Sequence, residues 1–231
     1  MKHLLVLFTL AASALAVEPA PAEFIDAGRF DWRALVSPPP GDDSIAGRAD
    51  RDVVILLDHN RTPEQAALAL HYDKFDPFIL LADVLGRSCT AANLPRTKAF
   101  LDQSWTECRP VISAAKSAWN RPRPAIANPG LHTVTEKSTS AAYPSGHAFS
   151  AAYLAVLFTA ILPEHAGDWS KQEQLVGWSR LVGGAHYPSD VAAGNILGEA
   201  VGREMLKSPK IRQAIEEVRA ELTAYLLKQA A

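Results

Sequence analysis

Apolar positions along the chain recur with helical rather than alternating spacing. The run 53–57 is followed by Thr62-Pro63-Glu64, a helix start with proline at its first position, leading into 66–70. Asp76-Pro77 opens a further run over 78–85 that Gly86 ends. Leu94-Pro95 begins a long stretch to about Trp119, and Arg121-Pro122-Arg123-Pro124 must stop it. Helical patterning resumes at 147–162, about 168–180 and about 190–206. A last helix takes Ser208 as cap and Pro209 at its first position, with Ile211, Ile215, Val218, Leu222 and Leu226 along one face. No stretch alternates strongly enough for a sheet, and no segment repeats. The pattern predicts an all-α, single-domain helical bundle.

Two segments interrupt it. Residues 37–43 (SPPPGDD) read as extended polyproline ending in a turn. Residues 125–143, rich in Asn, Pro, Gly, Thr and Ser, read as a long loop, and loops of that length in compact domains are usually functional. Gly194, Gly198 and Gly202 recur every four residues within one helix, each costing about 1 kcal/mol against alanine. Close approach of a neighbouring helix is the expected compensation.

Composition narrows the class. With 231 residues, 48% apolar and 21% charged, the chain is long enough for a real core and too apolar for disorder. Lys+Arg 23 against Asp+Glu 25 gives a net charge of −2, which offers no support for a nucleic-acid partner. Attraction for anions must come from a few placed cations. Lys2 and His3, the apolar run 4–10 and Ala14-Leu15-Ala16 have the order of a secretory signal peptide, with cleavage expected after Ala16. Loss of Lys2 takes the net charge from −2 to −3. The expected organisation is a signal peptide over 1–16, a leader and Pro-rich segment over 17–41, and the helical domain over 42–231. The longest apolar stretch after the signal, 148–162, suits a buried helix rather than a membrane span.

Cys89 and Cys108 are the two cysteines of the chain. In an exported protein one disulfide is the natural expectation, worth about 3 kcal/mol by loop closure. Two buried thiols or a nucleophile are the alternatives, and neither residue has metal-ligand spacing.

Three clusters place cations and imidazoles beside helix breaks. Lys116, in the last turn of a helix, precedes Arg123, held on extended chain before Pro124. Taken alone, this is a lysine favoured by the helix dipole and a surface arginine. Tyr143-Pro144-Ser145-Gly146-His147 stands where the long loop meets the apolar helix. A helix start offers unpaired N–H groups to an anion, and Gly146 allows close approach. Ser145 adds a hydroxyl and His147 a proton, although a plain serine cap explains the segment equally well. Ser179-Arg180, His186 and Asp190 form the third cluster. The four-residue spacing lets Asp190 hold one imidazole nitrogen of His186 and leave the other free as a nucleophile, or makes a structural His–Asp bond at a helix start.

Together these clusters read Lys-x6-Arg-Pro, Pro-Ser-Gly-His and Ser-Arg-x5-His-x3-Asp. This resembles the signature of the type 2 phosphatidic acid phosphatase (PAP2) superfamily in all eleven specified residues, over 116–190. At about 1 in 20 per position, chance gives on the order of 10⁻⁹ for a chain this long. Within that superfamily the chain is similar to the secreted bacterial class A non-specific acid phosphatases, in signal peptide, helical plan, early Pro-rich segment and length. That class shows Gly-Ser-Tyr-Pro-Ser-Gly-His-Thr where this chain has Ala141, Ala142 and Ala148 in place of Gly, Ser and Thr. The departure bears on subclass and substrate preference.

The resemblance implies the helical fold shared with vanadium haloperoxidases. It implies that Lys116, Arg123 and Arg180 hold phosphate oxygens, with Ser145 and Gly146 donating further hydrogen bonds. His186 attacks phosphorus, Asp190 orients it, and His147 protonates the leaving oxygen and then activates water. The implied activity is a metal-independent acid phosphatase working through phosphohistidine, with no cofactor and with vanadate as an inhibitor in the phosphate site. Small phosphomonoesters are the implied substrates, the periplasm the location, and a homo-oligomer the assembly. A vanadium-dependent haloperoxidase and a non-catalytic phosphate-binding module are the competing readings. Tyr143 and Tyr187 flank the motifs as candidate pocket walls.

Overall fold

A computed structural model describes residues 23–135 and 137–230. The expected signal peptide lies outside the described residues. Among these residues there are nine α-helices and no strand. They are α1 (Ile45–Asn60), α2 (Pro63–His71), α3 (Pro77–Leu85), α4 (Pro95–Trp119), α5 (Pro124–Ala127), α6 (Gly146–Ile161), α7 (Ala166–Val182), α8 (Pro188–Met205) and α9 (Pro209–Ala230). No described helix is long and apolar enough to cross a membrane.

The helix starts follow the local chemistry of the sequence. Thr62 and Gln65 form a reciprocal capping box on α2, and the Asp76 carboxylate accepts from Phe78 N–H at 2.9 Å on α3. Ser208 Oγ accepts from Lys210 N–H at 3.2 Å as α9 begins. The long loop differs from expectation at its start: Pro124 initiates the single turn of α5 before the irregular chain resumes. α8 begins two residues earlier than its pattern suggests. Pro188 takes the first position and Tyr187 the cap, which puts Asp190 at the third helical position, where its carboxylate accepts from Tyr187 N–H at 2.9 Å.

α6 is the central rod. Its residues from Ala148 to Leu154 are all buried, and α7, α8 and α9 pack around it. The glycine spacing serves α8 in the expected way. A Cβ at Gly194 would lie 2.6 Å from Ser145 O, one at Gly198 2.3 Å from Phe149 O, and one at Gly202 2.8 Å from Val156 Cβ. Hydrogen atoms at these three positions let the two helices approach backbone to backbone. The approach sets Ser145 N–H 2.8 Å from Asp190 O, so the N-termini of α6 and α8 meet directly.

Residues 23–41 are part of the same packed body. Phe24, Ile25, Trp32 and Val36 are buried in the main core, and the Glu107 carboxylate accepts from the N–H groups of Phe24 and Ile25 at 2.7 and 3.0 Å. The expected disulfide is absent: Cys89 and Cys108 are both buried free thiols. Cys108 lies thirteen residues into α4, about 20 Å along its axis from Pro95 at 1.5 Å per residue. A Thr90–Leu94 backbone turn keeps Cys89 near the helix's first end.

Candidate active site

All eight residues that carry the three sequence clusters converge at one end of the bundle. Each arrives there through an element end. Lys116 is in the last turn of α4, which Asn120 closes in the left-handed conformation at φ 42°. Arg123 sits on extended chain as the cap of α5. Ser145, Gly146 and His147 form the start of α6, Arg180 the last turn of α7, and His186 and Asp190 the approach to and first turn of α8.

His186 and Asp190 are fully buried. His186 Nδ1 lies 3.3 Å from Asp190 Oδ2, and its Nε2 lies 3.1 Å from Arg123 Nη1. A guanidinium only donates, so Nε2 must accept, and the ring proton resides on Nδ1 facing the carboxylate. The imidazole lone pair thus points to the side where the cations gather. Burial, then the charges of Arg123, Lys116 and Arg180, hold the His186 pKa well below the usual imidazole value and keep it neutral.

The cations are crowded and dry. Burial and the neighbouring Arg123 bring the Lys116 ammonium down to about 8, and burial and Arg180 bring Arg123 down to about 10. Lys116 Nζ donates to Ala141 O, and Arg123 donates to Ser140 O and Ser140 Oγ, each at 2.9 Å. Arg180 is 3% exposed, and its buried Nε and Nη1 find no partner among the described residues, where only Nη2 reaches a carboxylate, Asp73 Oδ1 at 3.4 Å. Buried donors in that condition call for an acceptor. Ser145 Oγ accepts from Ala148 N–H at 3.4 Å and caps α6. At Gly146 an added Cβ would only touch Lys116 Cε at 3.6 Å, so glycine there keeps the approach open rather than relieving a clash.

His147 lies beside this cluster. Its Nε2 is 3.0 Å from Asp73 O, and its ring meets Phe75 edge-on at 5.7 Å between centroids. Burial and then Arg180 lower its pKa to about 4. A cavity of about 560 Å³ opens next to His147 and Gly146, walled by Phe75, Phe78, Leu101, Trp105 and Tyr153. The Lys98–Asp102 ion pair of α4 lines its exposed side. Among the described residues no group of three or more His, Cys, Asp or Glu side chains is placed to hold a metal ion.

Tyr143 and Tyr187 do not wall this pocket; both are buried behind it. Tyr143 packs on Trp119 and donates its hydroxyl to Ser37 O at 2.7 Å, while the Tyr187 ring lies 4.1 Å beneath the Arg121 guanidinium. Sequence reasoning missed three residues. Arg121 Nη1 donates to Asp190 Oδ1 at 2.7 Å and its Nη2 to Asp50 Oδ2 at 2.9 Å. Asp73 contacts both His147 and Arg180. A signal for Arg121 existed. On extended chain Arg121 and Arg123 share one face, and the two guanidiniums grip the His186–Asp190 pair from opposite ends. Asp50, inside the charged run Arg48-Ala49-Asp50-Arg51-Asp52, and Asp73 in a turn carry no such mark.

The helical frame with cations, imidazoles and two helix N-termini at one end defines the fold of PAP2 phosphatases and vanadium haloperoxidases. Over 87% of this chain and 62% of the other, it superposes on a structure described as the first bacterial vanadium-dependent iodoperoxidase, with TM-score 0.61 and 16% identity. Residues 108–213, a little under half of the chain, match the family model of the PAP2 superfamily. An acid phosphatase of Zymomonas mobilis is 30% identical over 142 residues, which span 59% of this chain and about half (53%) of that protein. A non-specific acid phosphatase of Salmonella typhimurium is 27% identical over 195 residues, 80% of this chain and 77% of that protein.

Proposed function

We propose that this protein is an acid phosphatase that hydrolyses small phosphate monoesters through a covalent phosphohistidine, without a metal ion. The observation that carries this reading is the pair of buried Arg180 donors, without a partner among the described residues, set among Lys116, Arg123 and the α6 N-terminus, on the lone-pair side of His186. That arrangement suits a phosphoryl group whose equatorial oxygens gain stabilisation as charge spreads.

His186 Nε2 forms a bond to phosphorus as the bond from phosphorus to the ester oxygen breaks. The leaving oxygen takes a proton from His147 and departs into the adjoining cavity. Asp190 keeps the Nδ1 proton in place and stabilises the positive charge that develops on the ring. In the second half, water attacks phosphorus and yields its proton to His147. The N–P bond then breaks, and phosphate leaves a neutral His186. The bound anion favours protonated His147, which offsets the lowering imposed by burial and Arg180. Resemblance of the first sixteen residues to a signal peptide supports export to the periplasm.

Hydrolysis of p-nitrophenyl phosphate should survive EDTA and be blocked by vanadate. Rapid quenching should trap an acid-labile, base-stable phosphoenzyme in the wild type and none in His186→Ala, which should lose turnover and keep phosphate binding. Activity lost to EDTA and restored by a divalent ion would overturn the metal-free mechanism. Near-normal turnover in His186→Ala would overturn the nucleophile. Peroxide-driven bromide oxidation by the vanadate-loaded protein would move the chain to the haloperoxidase class.

A further inference from the structure

We propose that Arg121 is a positioning residue for the nucleophile, bridging Asp50 and Asp190 so that Asp190 stays a carboxylate aimed at His186 Nδ1. The proposal rests on the phosphohistidine reading above. Arg121 is 6% exposed and none of its side-chain hydrogen bonds goes to Lys116, Arg123, Arg180 or His186. It faces away from the phosphate cations and works from behind the pair.

Both terminal nitrogens of its fork are engaged. Nη1 donates to Asp190 Oδ1 at 2.7 Å and Ser189 Oγ at 2.8 Å, Nη2 donates to Asp50 Oδ2 at 2.9 Å, and the Tyr187 ring supports the guanidinium at 4.1 Å. Asp50 completes the frame by accepting from Ser189 N–H at 3.0 Å and from the Ser189 hydroxyl. The helix α1 is thereby tied to the first turn of α8. The two oxygens of Asp190 are divided: Oδ1 takes Arg121, and Oδ2 takes Tyr187 N–H and His186. Rotation of the carboxylate would break both sets, so the fork fixes its aim as well as its charge.

Without Arg121, two carboxylates would remain in a buried region without the cation that bridges them. Protonation of one is the cheapest relief. A protonated Asp190 would donate to His186 Nδ1 and drive the ring proton to Nε2, blocking the lone pair. The groups facing Asp190 are Arg121, Lys116 of α4, Arg123 ahead of α5, His186, Tyr187 and Tyr143, with Asp50 of α1 acting through Arg121. Burial raises the Asp190 carboxyl above the usual range, and Arg121 is the largest influence opposing that rise.

The test compares Arg121→Gln, Asp190→Asn and the double variant in kcat, KM and vanadate inhibition between pH 5 and 8. A tautomer error of this kind has a ceiling of about 10⁴-fold, and Arg121→Gln should lower kcat about 10²-fold at pH 5. KM and vanadate inhibition should hold within about 3-fold, because the phosphate cations are untouched. The deficit relative to wild type should shrink as pH rises and Asp190 regains its charge. In the Asp190→Asn background, Arg121→Gln should cost less than about 3-fold more, since both act through one carboxylate. A raised KM with normal kcat would make Arg121 a phosphate ligand and overturn the proposal. A pH-independent, multiplicative loss would reduce it to a structural strut. If Arg121→Gln does not fold, Asp50→Asn probes the relay from its far end, with kcat expected about 10-fold lower at unchanged KM. Wild-type kcat there would equally overturn the proposal. Activity in His186→Ala, measured alongside, would instead sink the phosphohistidine reading on which this rests.

Discussion

Alanine substitutions along the glycine stripe of α8 should separate the packing of this fold from the assembly of its site. In an ordinary helix interior each Gly→Ala change would stabilise by about 1 kcal/mol. Here the new methyl group meets backbone. At Gly198 it would lie 2.3 Å from Phe149 O and 2.9 Å from Ala152 Cβ, so α6 and α8 must part by about 1 Å to restore ordinary contact distances. Overpacking of that kind costs about 1–3 kcal/mol and, against a carbonyl that no rotamer change can move, should sit at the upper end. For a chain of this size the expected result is a Tm lower by about 4–9 °C. At Gly194 the first obstacle, at 2.6 Å, is Ser145 O, in the cap that precedes Gly146 and His147. Displacement there is transmitted straight to the anion site, and kcat/KM should fall about 10²-fold, the scale expected for a 1 Å misplacement. Gly202 lies two turns beyond Gly194, and its nearest obstacle is the Val156 side chain at 2.8 Å. Gly202→Ala should lower the Tm by a few degrees and hold kcat/KM within about 3-fold. Thermal melts and p-nitrophenyl phosphate kinetics on the three variants check this. Equal activity losses in all three, or an unperturbed Gly194→Ala, would refute the idea that α6–α8 contact positions the site.

Other expectations follow from the titrating groups. His147→Ala should lose about 10²–10⁴-fold on alkyl phosphates, whose alkoxide needs a proton, and less on p-nitrophenyl phosphate; equal slopes of kcat/KM against leaving-group pKa in both proteins would show that His147 only binds phosphate. Because the His147 pKa is lowered from 6.5 to about 4 in the folded state, its contribution to stability is whole above pH 6.5. That contribution is lost as pH falls toward 4, a drop of about 3 kcal/mol. Chemical denaturation across that range should show a smaller drop in His147→Gln than in wild type, because His186, also held neutral by burial, keeps its own share, and phosphate, by favouring the His147 cation, should reduce the wild-type drop. Alkylation in denaturant without reductant should add two labels, at Cys89 and Cys108; a single intramolecular bridge would overturn the buried-thiol assignment.

Much of this protein is decided locally. Proline at a first helical position is a short-range device, so α2, α3 and α9 begin where the polar caps Thr62, Asp76 and Ser208 say they should, and α4 begins at Pro95 after the uncapped Leu94. The eight site residues were likewise marked by fixed spacing, because each sits at an element end whose place along the chain is set by a neighbouring proline or glycine. The four-residue step from His186 to Asp190 is enough to bring imidazole and carboxylate together across the start of one helix. The glycine stripe announced a close helix contact, although its period could not say that α6 would be the partner. Long-range matters were invisible. Asp50 and Arg121 are 71 residues apart in sequence and become a pair only when α1 packs beside α8, and nothing in a charged run separates a solvated aspartate from one facing a buried guanidinium. Cysteine count and an apparent export signal pointed to a disulfide, but the straight rise of α4 carries Cys108 away from Cys89. Spacing along a chain fixes which groups share a turn; which turns share a site depends on how buried faces fit, and for this protein that fit is the hydrogen-only contact between α6 and α8.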